Sequence, residues 1–227
     1  MSLRRARQHS SSPNLAEQLA PLAWRSDRRL VLASASPQRQ QILRDFGVEF
    51  EARPTHVDEL SVGDPDLVAL SNARAKAEAG RAALSEAERD FCVVLAADTV
   101  VALGGTVYGK PRDAAQARQY LTELSSAAHQ VIGAIVVIDV DGVARETLVC
   151  TEVAFRNLSA DEISSQVARG EWQDRAGGYA IQLSGDEMVA EIGADRLNVV
   201  GLSIVALGGL VQGLLPAGSV APDRYTD

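Results

Sequence analysis

Residues 91–105, FCVVLAADTVVALGG, decide the fold class. The first eight residues are almost all apolar, which is typical of a strand buried on both faces. Residues 100–103 continue the apolar pattern and end at Gly104 and Gly105, a dipeptide typical of tight hairpin turns. We therefore predict a buried strand with Asp98 at its end, followed by a hairpin.

Strands and helices alternate before this stretch. A short apolar strand at 30–33 is followed by Ser36 and Pro37, and this pair predicts a helix start because serine is a favoured N-cap and proline fits the first turn. An alanine-rich helix is predicted at 65–84 from helical spacing of apolar residues. Those apolar positions are Leu67, Leu70, Ala73 and Ala77.

Hairpins dominate the second half of the chain. Two long apolar stretches, 131–140 and 144–155, flank Asp141 and Gly142, a strong hairpin-turn pair. The elements predicted after this hairpin are a helix ending at Gly170, a strand at 188–192 and a helix at 202–215. This order predicts an α/β fold with a mixed, elongated, twisted sheet flanked by helices and two lobes around a cleft.

Composition narrows the class of protein. The chain has 227 residues, and no apolar run approaches the roughly 20 residues of a membrane span. A formal net charge of −8 argues against a broad nucleic-acid-binding face, which would have to be basic. We therefore expect a soluble cytoplasmic protein with neither a membrane nor a nucleic acid as partner.

The ends of the chain differ in composition from its centre. Residues 1–27 mix arginine and serine with little apolar periodicity, so we predict a flexible N-terminal extension. An organelle transit peptide has a similar composition, and that alternative stays open. Residues 28–215 are predicted to form a single α/β domain, and residues 216–227 a polar C-terminal tail.

The two cysteines, Cys92 and Cys150, both lie in apolar strand-like stretches and outside any CxxC or Cys/His ligand pattern. We predict two reduced thiols in the core of a cytosolic protein.

The turn at 34–39 is a candidate phosphate site. It ends a strand and opens a helix, where free backbone N–H groups attract anions. Arg39 places a cation at this helix N-terminus, where it opposes the dipole unless a negative ligand lies between them. A Ser-x-Ser-Pro sequence before a helix, here Ser34 to Pro37, is also common in ordinary helix capping, which remains the alternative.

Further polar residues follow in order along the chain. Glu59, in a turn, and Asp98 are the carboxylates best placed to hold a divalent cation and polarise water. Lys76 and Lys110 are candidate phosphate ligands, and Gln182 follows a paired-glycine turn with an amide suited to a base edge. Taken singly, each is better explained by a solvated or turn-forming role.

The joint pattern is more specific. The stretches LASASPQRQQIL, VDE, ARAKA, AADTVVALGGTVYGKPRDAAQARQYL, AGGYAIQ and NVVGLS occur in this order. With them the chain resembles the Maf family from about residue 30 to residue 207. The resemblance implies an α/β fold with a nucleotide cleft, often as a homodimer. It also implies hydrolysis of nucleoside triphosphates to the monophosphate and diphosphate, with Mg²⁺ or Mn²⁺.

The same resemblance implies roles for individual residues. Asp98 matches the proton acceptor or a metal ligand, and Glu59 matches the metal-site acid. The residues matching phosphate ligands are Ser34, Ser36, Arg39, Lys76 and Lys110. The residues matching positions that set base preference are Gln38, Thr99 and Gln182.

The branch within the family is indicated by two positions. The 7-methyl-GTP branch tends to carry glutamine after the catalytic aspartate and glutamate at the position of Gln182, whereas this chain has Thr99 and Gln182. This favours dTTP or UTP, or a modified pyrimidine nucleotide. Gln38 replaces a usual arginine, however, and leaves the base preference open.

Two other activities stay open at this point. The family is associated with arrest of septum formation, so a nucleotide-binding regulator of cell division is one alternative. A pyrophosphatase that removes non-canonical purine nucleotides is the other. Asp186 and Glu187 stand where the family is small or apolar, and they either narrow the pocket mouth or lie exposed.

Overall fold

A computed structural model of the protein describes residues 28–211. The predicted extension at 1–27 and tail at 216–227 lie outside this part of the chain. The strands are β1 (Arg29–Leu32), β2 (Glu51–Ala52), β3 (Cys92–Leu103), β4 (Thr106–Tyr108), β5 (Ala128–Ile138), β6 (Ala144–Phe155) and β7 (Val189–Ile192). The α-helices are α1 (Pro37–Asp45), α2 (Pro65–Ala82), α3 (Glu86–Arg89), α4 (Ala114–Leu124), α5 (Ala160–Arg169), α6 (Arg196–Val200) and α7 (Ile204–Val211).

The seven strands form one mixed sheet in the order β2-β1-β3-β5-β6-β7, with β4 paired to β3. β1 runs parallel to β2 and β3, and every other pair is antiparallel. The predicted mixed sheet with flanking helices is thus confirmed. Within the described residues, no helix is both long and apolar enough to span a membrane.

Local sequence explains where the helices begin and end. Ser36 caps α1 by accepting a hydrogen bond from the Arg39 backbone N–H, and Pro37 opens the helix, as predicted. Ser159 and Glu162 form a reciprocal capping box at the start of α5. The predicted helix at 202–215 instead begins at Ile204, after the separate short helix α6, and the residues beyond 211 are not described.

β3 is longer than predicted, and Asp98 lies within it rather than at its end. The reason is that β5 pairs with β3 without interruption from Val94 to Ala102. On its other side β3 changes neighbours, because β1 pairs up to Leu95 and β4 pairs from Val101. Among the described strands, residues 96–100 therefore have a partner on one side only, and this gap in the sheet opens at Asp98.

The buried face of α2 matches the predicted one except at Leu67. Ala73 and Ala77 are buried and Leu70 is partly buried, as predicted, but Leu67 is 64% exposed. The buried positions are Val68, Ala69, Asn72, Ala73, Lys76, Ala77 and Gly80. Small residues allow a close approach to the sheet, since a Cβ atom at Gly80 would lie 2.8 Å from the Ala33 Cβ. The helix thus directs two polar side chains at the sheet, which matters for the cavity described below.

The core has three parts. Two clusters pack on opposite faces of the sheet around β1 and β3, one against α1 and α7 and the other against α2. The third cluster packs α4 and α5 against the β5–β6 end of the sheet. The long strands β3 and β5 contribute residues to all three clusters.

The prediction of two core thiols is half wrong. Cys92 is buried as predicted, but Cys150 is exposed. The exposed and buried residues of β6 alternate, and Cys150 falls on the exposed side. The two thiols are free.

The buried imidazole of His129 predicts a pH-dependent stability. His129 is 1% exposed and its Nε2 lies 2.9 Å from the Tyr179 hydroxyl. Burial lowers the pKa of His129 from 6.5 to about 4, although the Ala127 backbone opposes this shift. The unfolded chain therefore binds this proton at a higher pH than the folded chain. The free energy of unfolding should fall by about 3 kcal/mol through this group as the pH drops from 6.5 to 4.

Denaturant unfolding of His129→Gln at several pH values tests this prediction. The variant should lose this part of the pH dependence, whereas His56→Gln, at an exposed histidine, should keep it. Equal pH dependence in wild type and His129→Gln would contradict the prediction.

Candidate active site

A cavity of about 690 Å³ opens where β3 lacks its second neighbour. It is lined by all ten predicted site residues: Ser34, Ser36, Gln38, Arg39, Glu59, Lys76, Asp98, Thr99, Lys110 and Gln182. These residues come from six separate segments of the chain. The structure thus brings the predicted residues together, while their individual roles stay predictions.

Successive residues of β3 serve opposite faces of the sheet. Asp98 lies on the face covered by α2, and Thr99 lies on the face covered by α1. Both reach the same cavity because the sheet is open at this point. The gap therefore lets groups from the two faces act on one ligand.

On the α1 side, a buried arginine organises the wall. The Arg39 Nε donates to the Gly201 carbonyl at 2.9 Å, and its two terminal nitrogens donate to Ser34 Oγ at 3.2 Å and Thr99 Oγ1 at 3.0 Å. Ser34 Oγ also accepts from the Ser36 backbone N–H at 3.2 Å. These bonds hold the cation rigidly beside the N-terminus of α1, which favours binding of a negative group.

On the α2 side, one lysine bridges two carboxylates. The Lys76 Nζ lies 2.6 Å from Asp98 Oδ1 and 2.7 Å from Glu59 Oε1. Lys76 and Asp98 are 8% and 7% exposed, so their charges are compensated by each other in a largely dry environment. Glu59 lies at the rim, and its second oxygen is 3.7 Å from the Lys110 Nζ.

Burial and neighbouring charges in the cavity shift the pKa values of Glu59 and Arg39. Burial raises the pKa of Glu59, but the Lys76 hydrogen bond and the nearby positive charges outweigh it, so this pKa lies below its usual range. Burial lowers the pKa of Arg39, and the charges of Asp98 and Glu59 partly offset that effect. Glu59 is therefore an anion at neutral pH, and arginine retains its positive charge there.

Asn72 is a site residue that the sequence analysis missed. It is 4% exposed and its Nδ2 donates to Asp98 Oδ2 at 3.1 Å and to the Leu60 carbonyl at 3.0 Å. Its Oδ1 accepts from the Leu60 backbone N–H at 2.7 Å. Asn72 thus orients Asp98 and attaches the loop that carries Glu59 to α2. Asn72 lies four residues before Lys76, so the two side chains share one face of a helix, and this spacing could have identified Asn72 in the sequence.

Replacing the Asn72 side chain should lower the stability of the protein. Asn72→Ala leaves the Leu60 backbone groups without their partner, and we expect the free energy of unfolding to fall by about 1–3 kcal/mol. Asn157→Ala, which changes an exposed asparagine, should change it by less than about 0.5 kcal/mol. Urea unfolding of both variants measures the difference, and equal stabilities would refute this role for Asn72.

The lysines of the chain are confined to this cavity. Of the 22 basic residues, two are lysines, Lys76 and Lys110, and both line the cavity. Arginine serves as the cation everywhere else, so a general need for positive charge does not explain these two lysines. Lysine presents a compact charge with three donors and suits phosphate oxygens as a point charge.

Of the residues predicted to select the base, Gln38 and Thr99 lie on the α1 side of the cavity and Gln182 lies on another segment. Gln38 is held by the Ser36 hydroxyl, which donates to Gln38 Oε1 at 3.1 Å. Thr99 accepts from Arg39, and Gln182 is exposed on the lining segment that also carries Ile181. The Gln182 side chain is thus accessible to a ligand in the cavity.

Two acidic residues and one asparagine lie outside the cavity lining. Asp186 and Glu187 are exposed and form ion pairs with Arg196 and Arg169, so they do not narrow the pocket mouth. Asn198 is 1% exposed and donates to the carbonyls of Val131 and Val149 and to Thr151 Oγ1. It therefore attaches α6 to β5 and β6 rather than bordering the site.

The cavity is locally positive in an acidic chain. Its charged lining residues are the cations Arg39, Lys76, Lys110 and Arg175 and the carboxylates Glu59, Asp98 and Asp174. Four cations minus three anions leave one positive charge, against −8 for the whole chain. A polyanionic ligand is favoured here and disfavoured over the remaining surface.

The donor set fits a metal only together with a ligand. Within residues 28–211, no three His, Cys, Asp or Glu side chains cluster closely enough to hold a metal ion. Asp98 and Glu59 supply two carboxylates. Mg²⁺ is commonly bound by one or two carboxylates plus water and substrate phosphates. These residues therefore fit a divalent cation that binds with a phosphate chain.

The fold and cavity define an α/β protein with a cleft lined by four cations around a buried carboxylate. The profile of the family described as Maf-like protein matches residues 29–214. The chain belongs to this family.

Several curated relatives are similar over most of this chain. The dTTP/UTP pyrophosphatase of Anaeromyxobacter dehalogenans (strain 2CP-1) is 44% identical over 190 residues, covering 81% of this chain and 93% of the relative. The dTTP/UTP pyrophosphatase of Pyrococcus furiosus is 36% identical over 193 residues, covering 82% and 95%. Among solved structures, the Staphylococcus aureus Ham1 protein matches with a TM-score of 0.48 and 16% identity, covering 82% of this chain and 100% of that one.

Proposed function

We propose that the protein is a nucleoside triphosphate pyrophosphatase, which hydrolyses its substrate to the nucleoside monophosphate and diphosphate. The observation that carries the proposal is Asp98, a buried carboxylate in one cavity with Arg39, Lys76 and Lys110. A triphosphate requires cations to balance its charge, and hydrolysis requires a group that accepts a proton from water. The relatives named dTTP/UTP pyrophosphatase support this assignment.

The phosphate chain binds along the cationic walls. Backbone N–H groups at the start of α1, together with Ser34, Ser36 and Arg39, bind phosphate oxygens from one side. Lys76 and Lys110 bind from the other. Fixed donors of this kind stabilise charge that develops in the transition state without reorganising solvent.

Asp98 acts as the proton acceptor for the attacking water. The water oxygen forms a bond to the α-phosphorus, the bond from that phosphorus to the α–β bridging oxygen breaks, and diphosphate leaves. Asp98 takes the proton of the water, and Asn72 and Lys76 hold its carboxylate in position.

Glu59 and Asp98 would hold a divalent cation, Mg²⁺ or Mn²⁺, together with the phosphates. Such a cation supplies charge neutralisation and polarises water. We place its ligands on these two residues because both carboxylates line the cavity within reach of a phosphate chain.

We further propose dTTP and UTP as substrates, with Gln38, Thr99 and Gln182 setting base preference. The cytoplasmic location, the homodimer and the absence of nucleic-acid and membrane partners remain predictions from sequence.

A nucleotide panel tests the proposed activity. Diphosphate release is measured from dTTP, UTP, CTP, ATP, GTP, 7-methyl-GTP, ITP and XTP with Mg²⁺ or Mn²⁺. We expect release from dTTP and UTP. Selective release from ITP and XTP would overturn the base preference in favour of the non-canonical purine alternative. No diphosphate from any nucleotide would overturn the activity in favour of a nucleotide-binding regulator.

A further inference from the structure

A fourth cation, Arg175, lines the cavity and has no role in the chemistry described above. It lies after α5, in the segment 174–178, and directly precedes the 3₁₀ helix Ala176–Gly178. Its guanidinium is partly buried, and its Nε is inaccessible to solvent yet has no hydrogen-bond partner among the described residues. Arg39, in the same cavity, has all three nitrogens paired.

An unpaired donor of this kind is unusual. Burying a charged donor without a partner costs free energy, and such groups in native proteins are generally paired. No carboxylate forms an ion pair with Arg175 within residues 28–211. Arg175 thus lines the cavity with no carboxylate to compensate its charge, and a negatively charged ligand bound there would supply that compensation.

The backbone around Arg175 is held in a defined shape. Asp174 adopts a positive φ of 58°, a conformation that aspartate adopts more readily than most residues other than glycine. Gly177 and Gly178 also have positive φ, and a Cβ atom at Gly177 would lie 3.0 Å from the Val101 side chain. The segment thus packs directly against β3, and this contact fixes the backbone position of Arg175.

The same segment is joined to the loop that carries Lys110. The Gly177 backbone N–H donates to the Gly109 carbonyl at 3.1 Å. A Cβ atom at Gly178 would lie 3.1 Å from Pro111 Cγ, so the two loops also pack together. Lys110 and Arg175 therefore approach the cavity from the β4 end of the gap, whereas Arg39 approaches from the β1 side.

We propose that Arg175 binds the phosphates that leave as diphosphate, together with Lys110 and opposite Arg39. The inference rests on the proposed function. It assigns Arg175 to the phosphate chain rather than to the base, because its segment is bonded to the Lys110 loop. Its fork of donors can hold phosphate oxygens bidentately and stabilise the charge that accumulates on the leaving group.

Calorimetric titration with diphosphate and with dTMP, in the presence of Mg²⁺, tests the proposal. Arg175→Met should weaken diphosphate binding by about 10- to 100-fold and leave dTMP binding within about twofold. Arg175→Lys should keep part of the affinity because it keeps the charge. Arg112→Met, at an exposed arginine outside the cavity lining, should bind both ligands like the wild type.

Unfolding of Arg175→Met separates binding from a structural role. Since the Nε has no protein partner, the variant should be as stable as the wild type or more stable. Unchanged diphosphate affinity, or a larger loss for dTMP than for diphosphate, would overturn the proposal. Because these titrations need no turnover, a wild type that binds diphosphate but hydrolyses no nucleotide would contradict the proposed function and leave the Arg175 result interpretable.

Discussion

Replacing Asp98 by asparagine should lower kcat for diphosphate release by about 10²–10⁴-fold, the range expected for loss of a general base. Asparagine keeps the size of the side chain and can still accept a hydrogen bond from Lys76, but it cannot take the proton of the attacking water. Steady-state kinetics with dTTP measures the effect.

Asp139 provides the matched control. It is also 7% exposed, and its carboxylate accepts a hydrogen bond from the Val143 backbone N–H at the β5–β6 turn, outside the cavity. Asp139→Asn should keep kcat within about threefold, because exchanges away from reacting groups leave transition-state binding intact. Asp98→Asn with more than a tenth of the wild-type kcat would contradict the role of Asp98 as proton acceptor.

The second large effect is expected at Lys76. Lys76→Met removes the cation between Asp98 and Glu59 and leaves a buried carboxylate uncompensated. We expect the free energy of unfolding at pH 7 to fall by about 3–5 kcal/mol, which is the usual cost of breaking a buried pair from one side. Diphosphate release should be lost as well.

Lys110 is the natural comparison, since it is the other lysine of the chain. Its side chain is 56% exposed and lies 3.7 Å from Glu59, so Lys110→Met should change the stability by less than about 1 kcal/mol. Its effect on diphosphate release should be large, because we propose that it binds the phosphates. Equal stability losses in the two variants, measured by denaturant unfolding, would show that the buried Lys76–Asp98 pair does not stabilise the fold.

The parts of the fold that follow from local chemistry were predictable. The Ser36–Pro37 helix start depends on capping and on the fixed φ of proline, both local properties. The predicted hairpin joins β5 and β6 through residues 139–143. Its turn is closed by the Gly142 backbone N–H, which donates to the Asp139 carbonyl, and Gly142 supplies the positive φ that such a turn requires.

Features that depend on tertiary pairing were not predictable from local pattern. The continuity of β3 through Asp98 arises from its ladder with β5, a neighbour distant in sequence. The buried face of α2 carries Asn72 and Lys76 instead of Leu67, because small residues let the helix approach the sheet and polar groups find partners in the cavity. Helical spacing alone cannot identify a face whose burial depends on such partners.

The candidate site was likewise predictable in part from sequence and in part only from the tertiary structure. Eight of its ten residues were candidates from local sequence, the family resemblance added Gln38 and Thr99, and the open side of β3 explains why they meet. Asn72 and Arg175 went unnoticed because an asparagine in a helix and an arginine near a glycine pair are unremarkable in sequence. Their positions against Asp98 and the Gly109 loop become evident only in three dimensions.

We propose that water, activated by Asp98, attacks the α-phosphorus. Hydrolysis of dTTP in ¹⁸O-labelled water, followed by mass spectrometry and ³¹P NMR of the products, tests it most directly. We predict dTMP that carries one ¹⁸O atom and unlabelled diphosphate in equal amounts. Label in the diphosphate, or dTDP with inorganic phosphate as the first products, would contradict the account.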